Sequence, residues 1–324
     1  MHKLLPNLLA PGLLLSLAMG CGADGAPPLT PDADQGDHPQ PGDGDGDGDG
    51  DGDGDGYGDG DGDGDGDGDG DAPLPDAGAK PEPKRKPKCM KKDSQLIVIG
   101  DSYINWVSHN FPNDIVEASG QKWRMQAIGG MSMATGGAGY PLGVYIPNQF
   151  DDAIKADPDA HTVLMDGGGN DVLVGWIENG DIEKCKDTGS SQLPVCHDVV
   201  TRALEKAGAL MDRAIAAGVR DVVYFFYPHI PEGRDIGGPH PNEMLDYALP
   251  RVKEFCDGRE AASGGALRCH FIDMVPVFKD HTPAWFNGDI HPNPDGSKAM
   301  AQEIWSRMSE WCIGQKESSG CCEP

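Results

Sequence analysis

Three side chains of this sequence are of the types that together cleave an ester. Ser102 follows a Gly-Asp pair, while Asp289 and His291 lie close together near the other end of the chain, separated by one residue. A serine hydroxyl attacks an ester only when a base removes its proton, and an imidazole oriented by a carboxylate is suited to that task. The residue types therefore indicate nucleophilic catalysis by a serine.

The same chemistry needs hydrogen-bond donors that receive the negative charge developing on the carbonyl oxygen. Gly129 and Gly130 can supply backbone N–H groups, because a residue without a side chain lets its backbone approach a substrate closely. Asn170 follows two further glycines, and its side-chain amide is a second kind of donor. The sequence thus offers a nucleophile, a base, an acid and oxyanion donors.

Short apolar runs typical of buried β-strands precede these motifs. Stretches with helical spacing of apolar residues lie between the later runs, and strand alternating with helix predicts a parallel sheet covered on both faces. Ligands of such sheets bind beyond the carboxyl ends of the strands, so we expect the motifs to form one site. The strand runs are residues 95–99, 124–128, 162–165, 221–227 and 270–274, and the helical stretches are residues 198–217, 242–256 and 295–312.

This order of motifs resembles the SGNH, or GDSL-type, esterases, over about residues 95–311. The resemblance implies an α/β class, with a three-layer α/β/α flavodoxin-like fold and a parallel five-stranded sheet. It also implies that Ser102 is the nucleophile and the first oxyanion donor through its N–H. Gly130 and Asn170 would be the other donors, and His291 the general base.

The acid departs from the pattern of that family. The family usually places Asp three residues before the histidine, a position that Gly288 holds here, whereas Asp289 lies two before. Either the loop is tightened so that Asp289 still orients the imidazole, or a backbone carbonyl holds His291 in a dyad with Ser102. We favour Asp289 as the third catalytic residue.

The expected function is that of a serine esterase acting on an ester substrate. An O-acetyl or short-acyl group on a carbohydrate is the leading candidate. A lipid esterase or lysophospholipase, an O-acetyltransferase on the same fold and a non-catalytic surface carbohydrate-binding protein are alternatives. Residues 176–197 are expected to form a cap over the pocket. No cofactor or metal is expected, since the chain lacks a Cys-x-x-Cys pair and the ligand set of a metallophosphoesterase.

The first residues predict export. A basic start and an apolar stretch over residues 4–17 precede Ala-Met-Gly and Cys21, which resembles a bacterial lipobox. We therefore interpret residues 1–21 as a lipoprotein-type signal peptide, with a lipid attached to Cys21. The mature protein would be anchored in the bacterial cell envelope, at the outer membrane or the cell surface; ordinary cleavage and secretion is the alternative.

Residues 22–88 predict a disordered linker rich in Gly, Asp and Pro. Residues 42–71 alternate strictly between Gly and Asp except at Tyr57. Residues 89–324 are expected to form the catalytic domain. Both parts are acidic, and the net charge of the 324 residues is −27. A nucleic-acid partner is therefore not expected. No apolar run reaches the roughly 18 residues of a membrane-spanning helix, so membrane contact is expected through the lipid anchor alone.

The nine cysteines fit an oxidising compartment, because eight remain when Cys21 carries a lipid. Closeness in sequence predicts the disulfides Cys185–Cys196 and Cys256–Cys269. A Cys89–Cys312 disulfide is expected to join the two ends of the domain, and the adjacent Cys321 and Cys322 are left unassigned.

Overall fold

Five parallel β-strands form a single sheet in the computed structural model, which describes residues 86–134, 145–173, 194–233 and 241–324. The order of strands across the sheet is β2-β1-β3-β4-β5. This is the order of the flavodoxin-like doubly wound proteins, so the predicted fold class is confirmed. The strands are β1 (Leu96–Ile99), β2 (Arg124–Met125), β3 (Thr162–Met165), β4 (Asp221–Phe226) and β5 (Arg268–Asp273).

The central strands are buried along their whole length, which explains their continuous apolar sequences. Every residue of β1, β3 and β4 is buried, as expected for parallel strands covered on both faces. One row of the register runs from Ile97 through Val163 and Val222 to Cys269. Because the strands are parallel, the loops that follow them all leave the sheet at the same edge.

Helices cover both faces of this sheet. On one face α1 packs against α7. On the other face α2 contacts α4, α4 contacts α5, and α3 contacts both α4 and α5. Two short 3₁₀ segments lie at Asp93–Gln95 and Glu317–Ser319. The helices are α1 (Phe111–Ser119), α2 (Ile146–Ala156), α3 (Gly169–Leu173), α4 (Pro194–Ala216), α5 (Pro241–Ala262), α6 (Val275–Phe278) and α7 (Pro294–Glu310).

The start of α7 is fixed by its own residues, which matters because His291 lies just before it. Pro294 occupies the first helical turn, where its missing N–H costs nothing. The Asn293 side chain accepts a hydrogen bond from the Gly296 N–H at 3.0 Å, a helix N-cap. Ser297 then donates to Asp114 of α1 at 2.5 Å. These bonds hold the end of the loop that carries His291.

Most of the expected element boundaries differ from the observed ones by at least one residue, and the second strand and α5 are two examples. The second strand was expected over residues 124–128, but regular pairing ends at Met125. Gln126 and Ile128 still donate to backbone carbonyls of β1 and Gly100, at 2.8 and 3.1 Å, so the segment continues beside β1 without a regular ladder. Helix α5 extends beyond Cys256 to Ala262, and it contains an internal proline at position 250.

One predicted disulfide is confirmed and one is wrong. Cys256 and Cys269 are bonded, and they tie α5 to β5. Cys89 bonds Cys322, not Cys312, whose thiol is free. The reason is the path of the C-terminal segment, which turns back after α7 and pairs with residues 88–90. Cys89 N–H donates to the Glu323 carbonyl at 2.6 Å, which brings Cys322 beside Cys89.

Several predictions fall outside the described residues. These are the signal peptide and lipidation site over residues 1–21, nearly all of the linker over residues 22–88, and most of the cap over residues 176–197. Cys196 is disulfide-bonded, but its predicted partner Cys185 also lies outside them. Within the part of the chain that is described, no helix is both long and apolar enough to cross a membrane.

Candidate active site

The turn that carries Ser102 is built directly on the end of β1. Gly100 has a φ of 147°, and a Cβ there would lie 1.8 Å from Asp166 Oδ1, so only glycine fits. The Gln149 side-chain amide bonds both the N–H and the carbonyl of Gly100, at 2.7 and 2.9 Å. Ser102 itself is 1% exposed. The chain therefore leaves β1 in a single fixed conformation.

A buried carboxyl, Asp101, organises the same turn. Its backbone N–H donates to Asp166 Oδ1 at 2.8 Å. Its side chain accepts hydrogen bonds from the Tyr103 N–H at 3.1 Å and from the Tyr227 hydroxyl at 2.7 Å. These contacts fix the residues on either side of Ser102. Burial raises the pKa of Asp101 to about 6, and burial together with the charge of Asp101 raises that of Asp166 well above its usual value.

The loop before α7 places a carboxylate against His291. The Nδ1 atom of His291 lies 3.0 Å from Asp289 Oδ2, and the His291 backbone N–H donates to Asp289 Oδ1 at 2.8 Å. Gly288, with a φ of 98°, gives the chain the tight turn that these two bonds require. Of the two arrangements that the sequence left open, the tightened loop is the one observed.

The ionisation of the pair suits a base and its partner. Burial lowers the pKa of His291 more than its contact with Asp289 raises it, so the imidazole is neutral at pH 7. Burial opposes ionisation of Asp289, but the hydrogen bonds from His291 outweigh that effect and lower its pKa. An ionised carboxylate only accepts, so Nδ1 carries the imidazole proton and Nε2 has a free lone pair. Nε2 is the atom that a general base uses.

The Ser102 turn and the His291 loop, far apart in sequence, touch each other through side chains of the turn. The Tyr103 hydroxyl donates to the Ile290 carbonyl at 2.8 Å, and both residues are fully buried. The Trp106 ring stacks on the His291 ring, with centroids 4.4 Å apart and planes inclined by 15°. The structure thus brings the Ser102 turn and the His291 loop together.

His109 is bonded to the backbone of Ser102. Its Nε2 donates to the Ser102 carbonyl at 2.7 Å, and its Nδ1 accepts from the Phe111 N–H at 3.4 Å. Burial lowers the pKa of His109, and repulsion from a protonated His291 acts in the same direction. His109 is therefore a neutral, hydrogen-bonded group that fixes the backbone of Ser102.

The predicted oxyanion donors lie on two loops that bond each other. Gly130 adopts a φ of 77° in the turn after β2. The Asn170 side chain donates to the Met131 carbonyl at 2.7 Å. One of its two N–H bonds is used there, and the other can serve a second acceptor. Asp171 accepts from the Met133 and Ala134 N–H groups, at 2.7 and 2.8 Å, which fixes this turn against α3.

Sequence reasoning missed the residues that join the loops. Tyr103, Trp106 and His109 all follow Ser102 within seven residues, but nothing in their spacing shows that two of them reach residues almost 190 positions away. The other histidine that follows a strand end, His229, lies at a separate cavity, where its Nε2 is 2.6 Å from Asp246 Oδ1.

Across the four described ranges, no group of three or more His, Cys, Asp or Glu side chains is arranged to hold a metal ion.

Comparisons with known proteins concern the fold. No family model matches the chain, and no curated protein matches it. Similar solved structures include a carbohydrate acetylesterase family member from Sinorhizobium meliloti, at 12% identity over 67% of this chain and 98% of that chain, with a TM-score of 0.48. A family two carbohydrate esterase from Clostridium thermocellum in complex with cellohexaose is 13% identical over 69% of this chain and 66% of that chain, with a TM-score of 0.43. Phospholipase A1 from Streptomyces albidoflavus is 15% identical over 65% of this chain and 98% of that chain, with a TM-score of 0.42.

Proposed function

We propose that this protein is a serine esterase that hydrolyses a carboxylic ester through an acyl-serine intermediate on Ser102. The observation that carries the proposal is the contact between the two loops. A neutral imidazole held by Asp289 lies in a loop that Tyr103 and Trp106 fasten to the turn of Ser102. Contact between the two loops is the condition for a nucleophile on one and a base on the other to approach each other.

In the acylation step, His291 Nε2 takes the proton from Ser102 Oγ while Oγ bonds the carbonyl carbon of the ester. The resulting imidazolium is stabilised by the Asp289 carboxylate. It then gives its proton to the alkoxide oxygen of the leaving alcohol as the C–O bond breaks. The acyl group remains on Ser102 as an ester.

Deacylation uses the same groups with water in place of the serine. His291 takes a proton from the water as its oxygen bonds the acyl carbon, and the proton returns to Ser102 Oγ as the acid leaves. In both steps the N–H groups of Ser102 and Gly130 and the Asn170 amide receive the oxyanion. The loss of one such donor costs about 10²–10³-fold in kcat in serine hydrolases.

A short acyl group on a carbohydrate is the substrate class we favour. Ser102 is 1% exposed and lies within a turn crowded by Tyr103 and Trp106, which suits an acetyl or similarly small group. The long acidic segment before residue 89 would let an anchored domain reach bulky extracellular material.

Export and anchoring through Cys21 are part of the proposal. The Cys256–Cys269 and Cys89–Cys322 disulfides support export, since such bonds persist in oxidising compartments. Lipidation predicts that the protein fractionates with membranes and that Cys21→Ala releases it. A wild-type protein found entirely in the soluble fraction would overturn the anchor and leave the esterase function untouched.

The acyl-length profile tests the function. Hydrolysis of p-nitrophenyl esters is measured from acetyl to palmitoyl, with Ser102→Ala as the inactive control and Ser309→Ala, far from the site, as the matched active control. We expect a maximum at acetyl or propionyl. A maximum at the long chains would replace the short-acyl substrate by a lipid ester. No hydrolysis of any ester by folded wild-type protein would refute the esterase.

A further inference from the structure

A cavity of about 300 Å³ lies at the same edge of the sheet as the site. It is formed between the loop after β4 and the segment after β5, and one side is closed by the start of α5. Its size is at the lower end of the range of small-molecule sites. The residues that matter below are His229, Glu232, Asn242, Phe278, Lys279 and Thr282.

The loop that forms one wall is held rigidly. The Asn242 side chain accepts from the Ile230 N–H at 2.9 Å and donates to the Ile230 carbonyl at 3.0 Å. His229 Nε2 lies 2.6 Å from Asp246 Oδ1, so two contacts fasten this loop to α5. A ligand entering the cavity would therefore meet this wall in a fixed position, which lowers the entropic cost of binding, while Glu232 and Lys279 at the cavity are exposed.

The polar groups of the cavity differ in sign and in hydrogen-bonding role. Lys279 donates and Glu232 accepts, while the Thr282 hydroxyl, which donates to the Phe278 carbonyl at 3.2 Å, has lone pairs left to accept. A sugar hydroxyl both donates and accepts, so a ring that bears several hydroxyls can satisfy both kinds of group. Glu232 and Lys279 carry opposite charges, so together they give the cavity no net charge that would attract an anionic ligand such as a phosphate.

Both walls of the cavity continue into the loops of the site. Tyr227, two residues before His229, donates to Asp101 beside Ser102. On the other wall, the Phe278 ring packs against Phe286 at 5.4 Å, and Phe286 forms a β-bridge with Pro292, next to His291. A substrate that lies along this edge of the sheet can therefore contact the cavity and the site together.

We propose that this cavity binds a neutral sugar ring in the alcohol part of the substrate whose acyl group reacts at Ser102. The inference rests on the esterase function proposed above and assigns a binding site to the sugar part of its substrate. Glu232 and Lys279 are the residues that hold the ring, and they act on binding while the chemical step stays with the catalytic residues.

The kinetic test compares a small ester with a sugar ester. Glu232→Ala and Lys279→Ala are assayed on p-nitrophenyl acetate, which carries no sugar, and on acetylated xylotetraose. We expect KM for the sugar ester to rise about tenfold, as for the loss of a hydrogen bond to a charged group, with kcat/KM for the small ester within about twofold of wild type. Lys298→Ala, an exposed lysine paired with Glu117, is the matched control. An equal loss on both esters, or no change on the sugar ester, would overturn the proposal.

A binding measurement separates this proposal from the esterase function. Ligand-observed NMR with unacetylated xylotetraose requires no turnover. Binding by wild type that is lost in Glu232→Ala and Lys279→Ala supports the cavity even if no ester is hydrolysed, in which case the esterase function alone fails. Hydrolysis of p-nitrophenyl acetate without detectable binding of xylotetraose would overturn the cavity and leave the esterase function standing.

Discussion

Two contacts and burial act on His291, and each has a separate effect on its chemistry. Asp289 selects the tautomer with a free Nε2, Trp106 fixes the plane of the ring, and burial keeps the imidazole neutral. A lowered pKa means that the base stays available at pH values where an exposed histidine would be protonated. The activity is therefore expected to persist below pH 6.5, the usual pKa of the side chain, and to fall only at more acidic pH.

Replacing Asp289 tests its assigned part. We expect Asp289→Ala to lower kcat by about 10²–10⁴-fold with little change in KM, because the imidazole loses its orientation and the imidazolium its counter-charge. Since the contact with Asp289 raises the pKa of His291, the acid limb of kcat/KM should also move to lower pH. The profile is measured from about pH 4 to about pH 9, with Asp280→Ala as control. Unchanged kcat, or a limb that moves to higher pH, would favour the dyad.

The buried carboxyls of Asp101 and Asp166 predict how stability depends on pH. Both pKa values are raised, so the folded state retains protons that the unfolded chain releases near pH 4. Stability from this pair is greatest in acid and declines as the pH rises through about 6. The loss is on the order of 3 kcal/mol for Asp101.

Asp166→Asn should reduce that decline, because an amide keeps the acceptor for the Asp101 N–H and removes one of the two acids. Urea unfolding of the variant and of wild type is compared at about pH 5 and about pH 8. The exposed Asp151→Asn is the control. A decline in the variant as steep as in wild type would contradict the assignment of the raised pKa values to this pair.

At the scale of the elements, the site depends on contacts between loops that different strands present. The Ser102 turn touches the His291 loop through Tyr103, and the β2 turn touches α3 through Asn170 and Asp171. Parallel strands bring these loops to one edge, but only side-chain bonds fix their relative positions. Removing one such bond should therefore displace a catalytic group and lower kcat.

Tyr103→Phe removes the hydroxyl that bonds the Ile290 carbonyl. Leaving that buried acceptor unpaired should cost about 1–3 kcal/mol of stability. We also expect kcat to fall by about 10–100-fold, since a small displacement of a catalytic group is costly.

Tyr224→Phe is a matched control, because that hydroxyl makes the same bond to the Gly167 carbonyl at 2.7 Å. It should lose similar stability but less activity, since Asn170 keeps its own bond to Met131. Equal effects of the two variants on kcat would show that Tyr103 acts on stability alone.

The Cys256–Cys269 bond joins a helix to an edge strand across a sequence separation of 13 residues. In the chain-entropy model a loop of this length contributes about 3 kcal/mol. Cys256→Ser with Cys269→Ser should lower the free energy of unfolding by that order, measured in urea. An unchanged free energy of unfolding in the double variant would contradict the contribution assigned to this bond.

At the scale of the whole molecule, the strands and the order of the site motifs could be predicted from the sequence. Runs such as Leu96–Ile99 are buried on both faces and so carry an unambiguous apolar pattern. The C-terminal pairing was not predictable, because Cys322 reaches Cys89 only through a turn after α7 that leaves no periodic signal. Helices α1 and α2 were missed for a similar reason: they are short and begin beside prolines.

The role of Tyr103 was also out of reach of the sequence. A tyrosine next to a serine has no pattern that points to a carbonyl 187 positions away. Contacts of this kind depend on how whole elements pack in three dimensions. The residues at strand ends, in contrast, can be located once the strands are predicted.

The most direct measurement is the site of covalent modification by a fluorophosphonate, located by mass spectrometry of the digested protein. We expect one adduct, on Ser102, formed rapidly by wild type, greatly slowed in His291→Ala and absent in Ser102→Ala. An adduct on another serine, or equally fast labelling of the His291→Ala variant, would contradict it.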